Sequence, residues 1–94
     1  MENPASPAPY RVELAPGAER GLRQLPEEVQ SRLGPPILAL AHEPRPPGVR
    51  KLRGEEHTWR IRVGAYRVVY DVDDHQRLVV VLKVDRRRES TYRR

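Results

Sequence analysis

Residues 59–70 read Trp59-Arg60-Ile61-Arg62-Val63-Gly64-Ala65-Tyr66-Arg67-Val68-Val69-Tyr70, and this stretch decides the fold. Trp59, Ile61 and Val63 alternate with Arg60 and Arg62, and after Gly64-Ala65 the alternation resumes with Tyr66, Val68 and Tyr70. A period of two is the pattern of a strand with one face buried. The Gly-Ala dipeptide between the two runs suits a two-residue hairpin loop, with glycine first as a type II′ turn prefers. A loop of that length sets the register: Val63 opposite Tyr66, Arg62 opposite Arg67, Ile61 opposite Val68 and Arg60 opposite Val69. Directly paired residues point to the same side of a sheet. Arg60, Arg62 and Arg67 therefore share one face, and Trp59, Ile61, Val63, Tyr66, Val68 and Tyr70 share the core face.

Working outward, Tyr66 to Val72 continues the second strand and Arg77 to Val84 forms a third, rich in valine and bounded by turn-forming residues. On the N-terminal side, Tyr10, Val12 and Leu14 alternate with Arg11 and Glu13 as a further strand. Pro16 suits the first turn of a helix, and Pro26 followed by Glu27 and Glu28 opens another, its carboxylates near the positive end of the helix dipole. Leu22, Leu25, Val29, Leu33, Ile37 and Leu40 follow one another at spacings of 3, 4, 4, 4 and 3, one apolar stripe for a common core. Gly34-Pro35-Pro36 inside the second helical pattern should kink or break it, because proline lacks the amide proton and its ring clashes with the preceding turn. His42 to Gly48, with three prolines, reads as a connecting loop. The resulting expectation is an α+β fold: a small, antiparallel-rich, four-stranded sheet with two N-terminal helices on one face, in the order β-α-α-β-β-β. Residues 1–9, with three prolines and no apolar periodicity, read as a disordered tail, and 10–94 as a single domain.

A chain of 94 residues can enclose only one hydrophobic core. Its 18 Lys plus Arg against 13 Asp plus Glu leave a net charge of +5, which favours a polyanionic partner, nucleic acid or an acidic protein. Only Lys51 and Lys83 are lysines. GC-rich codon usage can account for arginine over lysine, but not for where the arginines cluster. The absence of cysteine excludes disulfides and a cysteine-based zinc site, and fits a cytoplasmic location. An apolar run such as Leu78 to Leu82 is far below the roughly 20 residues of a membrane helix. His42 and His75 fall in loops with no partner spacing that suggests a metal, so neither a metal nor another cofactor is expected.

Like charges directly across a strand pair repel, so Arg62 opposite Arg67 works against stability unless something negative lies between them. Long side chains splaying apart on a solvated face would relieve the strain without any function. A second basic cluster, Arg86-Arg87-Arg88 after the last strand and Tyr92-Arg93-Arg94 at the end, makes a basic sheet face suited to several phosphates the stronger reading.

In this order, Lys51-Leu52-Arg53-Gly54, then Trp59 to Val63, then Tyr66-Arg67-Val68-Val69-Tyr70, then an apolar strand ending in Val84-Asp85-Arg86-Arg87-Arg88 and Tyr92, the sequence resembles the RelE/ParE toxins of type II toxin-antitoxin systems. The resemblance covers about Tyr10 to Arg94; the first strand and helices are generic, whereas the two central blocks in this order are fairly specific. It implies a toxin held inactive by an acidic, partly disordered antitoxin, with the ribosome and mRNA as targets and neither a membrane nor a small-molecule cofactor as partner. RelE-like members cut mRNA in the ribosomal A site without a metal, the 2′-hydroxyl attacking its own phosphodiester to leave a 2′,3′-cyclic phosphate. By position the resemblance implies Arg60, Arg62, Arg67, Arg87 (or neighbouring Arg86) and Tyr92 as catalytic residues, with Lys51, Arg53, Arg86 and Arg88 as further RNA contacts.

The sequence departs from the pattern at the proton-transfer positions. Arg60 and Arg62 stand where RelE has two lysines, and a guanidinium holds its protons too tightly to serve as acid or base. Pro46-Pro47-Gly48 stands where some relatives carry a glutamate base. Glu55, Glu56 and His57 lie in the following turn, and His57 offers the side-chain type best suited to proton transfer near neutral pH, although an exposed loop residue is the simpler reading. Two alternatives remain: a ParE-like gyrase inhibitor, whose members usually lack this basic cluster with its tyrosine, and a degenerate toxin that binds only antitoxin or nucleic acid.

Overall fold

In the computed structural model, residues 9–86 are described, and they fold as a mixed sheet with both helices on one side. The chain runs β1 (Arg11–Leu14), α1 (Pro16–Arg23), α2 (Glu27–Ala39), β2 (Arg50–Lys51), β3 (Thr58–Val63), β4 (Tyr66–Asp73) and β5 (Leu78–Arg86). The sheet has five strands in the order β1-β5-β4-β3-β2. The expectation of four strands missed β2, whose two residues are too short to show any alternation. β1 lies parallel to β5, and the remaining pairs are antiparallel.

The β3–β4 hairpin has the register read from the sequence, from Val63 opposite Tyr66 through Trp59 opposite Tyr70. Gly64 has φ +61° while Ala65 stays out of the left-handed region, as a type II′ loop requires. Pro16 begins α1, where its missing amide is no loss, and Glu19 pairs with Arg23 one turn later at 2.8 Å. α1 lies against β5: a β-carbon added at Gly17 or Gly21 would meet the carbonyl oxygens of Leu82 and Val84 at 3.7 and 3.5 Å, ordinary contact distances.

The expected break in α2 does not occur; the helix continues through Pro35 and Pro36 to Ala39. Gly34 carries no β-carbon to clash with the Pro35 ring, which eases the restriction on the residue before that proline, whereas Pro35 before Pro36 keeps its own. The carbonyls that lose a donor belong to Ser31 and Arg32, both exposed residues that water can serve. Leu33 precedes the prolines and Ile37 and Leu40 follow them, and all three are buried, so packing anchors the helix on both sides of the defect.

Those three join Ala18, Ile61, Val68, Tyr70, Val72, Val79 and Val81 in one core, with Leu22, Leu25, Val29 and Trp59 packed at its margin. Leu14, expected on the buried face of β1, is 38% exposed because β1 is an edge strand with a neighbour on one side only. The loop after α2 is tied down by the Tyr70 hydroxyl, which donates to the Pro44 carbonyl at 2.6 Å, and by Arg45, which grips Asp74 at 2.9 and 3.3 Å. Among the described residues no helix is long and apolar enough to cross a membrane.

Candidate nucleic-acid interface

The face of the sheet turned away from the helices follows from the strand register. Arg62, Arg67 and Asp85 form one row across β3, β4 and β5. The next row is Arg50, Arg60, Val69 and Lys83, across β2 to β5. Below it come Thr58, Asp71, Val80 and Glu13, and then Asp73, Leu78 and Arg11. Among the described residues this open face is therefore divided: its hairpin end carries Arg50, Arg60, Arg62, Arg67 and Lys83 with a single carboxylate, and its other end is acidic. Val69, though on the open face, is only 8% exposed. Arg60 and Lys83 flank it in the row, and long cationic side chains can lay their aliphatic stems on such a residue.

A β-bulge builds the cationic end. Val69 pairs with Lys83 and Tyr70 with Val81, so Leu82 is an extra residue in β5. Val79 and Val81 point into the core, and unbroken alternation would send Lys83 and Asp85 after them. The extra residue reverses the parity, which places Lys83 and Asp85 beside Arg67 and keeps Val84 on the helix side.

Arg67 meets Asp85 side-on, Nε to Oδ1 at 3.2 Å and Nη2 to Oδ2 at 3.4 Å, and Lys83 Nζ lies 3.5 Å from Oδ2. Asp85 is thus the negative group that the Arg62–Arg67 pairing called for, although it stands on the far side of Arg67 and not between the two. Arg62 is exposed, and Arg60 is half-buried in the row beside them.

Of the residues singled out from the sequence, Arg60, Arg62 and Arg67 are brought together on this face. Lys51 is not: it pairs with Trp59, so it leaves the sheet on the helix side, and its Nζ sits 5.9 Å from the centre of the indole. Arg86 pairs with Tyr66 and likewise falls on the helix side, and Arg53 is exposed in the turn after β2. Arg87, Arg88 and Tyr92 lie outside the described residues. Sequence reasoning missed Arg50 and Lys83. Arg50 alternates with Lys51 and could have been found had the short β2 been legible, and the mixed pattern Val81-Leu82-Lys83-Val84 was the trace of the bulge.

The carboxylates of the β4–β5 turn have partners of their own. Arg45 and then the Tyr10 hydroxyl bond Asp74 and hold its carboxyl below the usual range, and the same bond raises the Tyr10 phenol. His57 is exposed just before β3 and borders a concavity of about 460 Å3 with Asp71, Asp73 and His75, at the acidic end. Arg62 stands five residues on from His57 along the chain, which is roughly 16 Å at about 3.3 Å per residue of strand. Among the described residues no group of three or more His, Asp or Glu is arranged to hold a metal ion.

The model of the ParE toxin of type II toxin-antitoxin systems matches residues 12–91 of the chain. The chain belongs to the RelE/ParE family of toxins of type II toxin-antitoxin systems. Within that family this toxin is RelE-like. It is 34% identical over 87 residues to toxin RelG of Mycobacterium tuberculosis, with 92% of this chain and 99% of the relative covered. The putative toxin RelE1 of Methanocaldococcus jannaschii is 28% identical, with 89% and 96% covered. Among solved structures, the isolated RelE toxin of E. coli superposes with a TM-score of 0.76 at 28% identity, covering 88% of this chain and 90% of that one. The toxin-antitoxin complex RelBE2 of M. tuberculosis matches with a TM-score of 0.74 at 34% identity, covering 84% and 99%.

Proposed function

We propose that this toxin is a metal-independent endoribonuclease that cuts mRNA on the ribosome, so inhibiting translation, and that it acts in the cytoplasm under the control of a cognate antitoxin. The observation that carries the reading is the grouping of Arg60, Arg62 and Arg67 in two adjacent rows of one open sheet face, with Arg50 and Lys83 beside them. A phosphodiester cut by its own 2′-hydroxyl passes through a phosphorane-like state with more charge on the oxygens attached to phosphorus than in the ground state. Fixed guanidinium donors at those oxygens stabilise that state more than the substrate, which lowers the barrier. Arg62 and Arg67 would clamp the scissile phosphate, and Arg60 and Arg50 the next one along the strand. Arginines supply charge and orientation and not proton transfer. Tyr92, Arg87 and Arg88 complete the set by position in the family pattern, with Arg87 as the C-terminal catalytic cation, whereas Arg86 leaves the sheet on the helix side.

The partner follows from the same charge. RelE is solved with RelB in complexes from E. coli and Pyrococcus horikoshii. A cationic face on a chain of net charge +5 suits an acidic, partly disordered antitoxin segment that covers it.

One finding favours a second reading: the family model that matches is that of ParE, so inhibition of DNA gyrase on the same fold is the alternative, and a non-catalytic toxin that only binds antitoxin or RNA is the third. Inducible expression in bacteria separates them, with primer extension on reporter mRNAs and an assay for the DNA-damage response. Codon-positioned mRNA cuts support the nuclease. DNA-damage induction without cuts supports gyrase inhibition, and no effect of either kind supports the binding-only toxin.

A further inference from the structure

We propose that Asp85 is the positioning residue for Arg67, holding its guanidinium so that the phosphate-binding fork is presented toward Arg62; the inference rests on the reading of this face as the mRNA-cleaving site. Arg67 is the middle member of the row Arg62–Arg67–Asp85. On one flank its strand partner is Arg62, a like charge. On the other flank Asp85 takes Nε and Nη2 side-on, at 3.2 and 3.4 Å. A guanidinium has five N–H donors, and a side-on carboxylate uses one from each of those nitrogens. One Nη1 donor and the second Nη2 donor form the end-on fork, which points away from Asp85.

The alternative role for a carboxylate here is a competing anion that occupies the phosphate position. The register argues against it: Asp85 lies beyond Arg67 as seen from Arg62, so a phosphate bridging the two arginines meets no carboxylate of the described residues in the gap. The same Asp85 also stands 3.5 Å from Lys83 Nζ, so one acidic side chain holds two cations of the site at the cost of one unit of positive charge. It reaches this face only through the extra residue Leu82, a bulge whose effect is to deliver Lys83 and Asp85 to the arginines. Without Asp85, repulsion from Arg62 and the rotamer freedom of a long side chain would leave Arg67 unoriented, and a misplacement of about 1 Å in a positioned group can lower a rate on the order of a hundredfold.

The test is single-turnover cleavage of mRNA on programmed ribosomes, with Kd for the ribosome complex measured alongside, for Asp85→Asn, Asp85→Ala, Asp85→Glu, Arg67→Ala and the Arg67→Ala/Asp85→Ala double variant. The expected result is a fall in the saturating rate of about ten- to a hundredfold for Asp85→Asn and Asp85→Ala. Kd should be unchanged or tighter, because an anion has been removed. Asp85→Glu should recover part of the rate, and the double variant should be no slower than Arg67→Ala. A rate for Asp85→Asn equal to or above wild type overturns the proposal and makes Asp85 a bystander or a competitor; so does a loss that adds in full to that of Arg67→Ala. If wild-type protein does not cleave at all, the nuclease reading fails, and NMR of the Arg67 Nε–H decides the positioning separately. Exchange slowed in wild type and in Asp85→Glu but fast in Asp85→Asn supports it, and equal exchange in all three overturns it.

Discussion

Arg67 and Asp85 stand directly opposite each other on β4 and β5, joined side-on at 3.2 Å, with both side chains 35% exposed. The like-charge pairing of Arg62 with Arg67 is thereby flanked by an ion pair in the same row. That relationship sets the sign of the simplest mutational experiment on the site.

Arg67→Ala is expected to abolish mRNA cleavage and to leave the fold nearly as stable as before. Losing a partly exposed ion pair removes about 0–1 kcal/mol. Relief of repulsion from Arg62 offsets part of that, while Asp85 retains Lys83 as a neighbour. Thermal unfolding alongside primer extension checks both halves. A rise in Tm would show that the Arg62 repulsion outweighs the Asp85 bond, and a mutant that cleaves at the wild-type rate would remove Arg67 from the site.

Trp59 lies on the core face, as the hairpin register requires, but only half-buried at the margin of the core, with Arg45 5.2 Å from the ring centre. Its indole Nε1 is buried without a hydrogen-bond partner, so truncation also removes an unfavourable group. Trp59→Ala should destabilise the protein by about 2–3 kcal/mol, below the roughly 3–5 kcal/mol of fully buried aromatic truncations. Denaturant unfolding measures the difference, and an unchanged midpoint would place the ring in solvent.

Gly34 is interior to α2, with nothing within 4 Å of the position a β-carbon would take. Gly34→Ala offers helix propensity worth about 0.5–1 kcal/mol. It also restores the clash with the Pro35 ring that glycine avoids. The second effect is expected to win, so that the variant melts lower than wild type although the site is open. A higher Tm would mean that the prolines, and not the glycine, are the tolerated defect.

The Tyr70 hydroxyl is buried, donates to the Pro44 carbonyl, and has its pKa pushed by burial from the ordinary 10.0 up to about 12, against a smaller opposing pull from Arg45. The unfolded chain releases this proton near pH 10 while the folded chain keeps it, so the unfolded state binds fewer protons and stability falls as pH rises from about 10 to 12. Below pH 10 the contribution is fully present. Tyr70→Phe should lower stability at neutral pH by about 1 kcal/mol for the lost bond. It should also flatten the alkaline limb in chemical denaturation from pH 8 upward; an alkaline limb as steep as that of wild type would assign the titration to other groups.

The hairpin from Trp59 to Tyr70 was legible in the sequence because both of its determinants are local: alternation with period two and a two-residue loop that admits one register. That was enough to place Arg60, Arg62 and Arg67 on one face and the apolar residues on the other. The apolar stripe from Leu22 to Leu40 was legible for the same reason. The continuity of α2 through Pro35 and Pro36 was not, because the local penalty is outweighed by the burial of Leu33, Ile37 and Leu40 against strands distant in the chain. Nor was the membership of the site. Arg50 joins it, and Lys51 leaves it, through pairing with a strand seven residues on, and Lys83 and Asp85 arrive through one extra residue in β5. Local pattern thus determined which residues share a face within one hairpin. Which charges meet across the sheet depends on the register between strands, and only the packed structure sets it, because a one-residue shift turns every side chain beyond it to the other face.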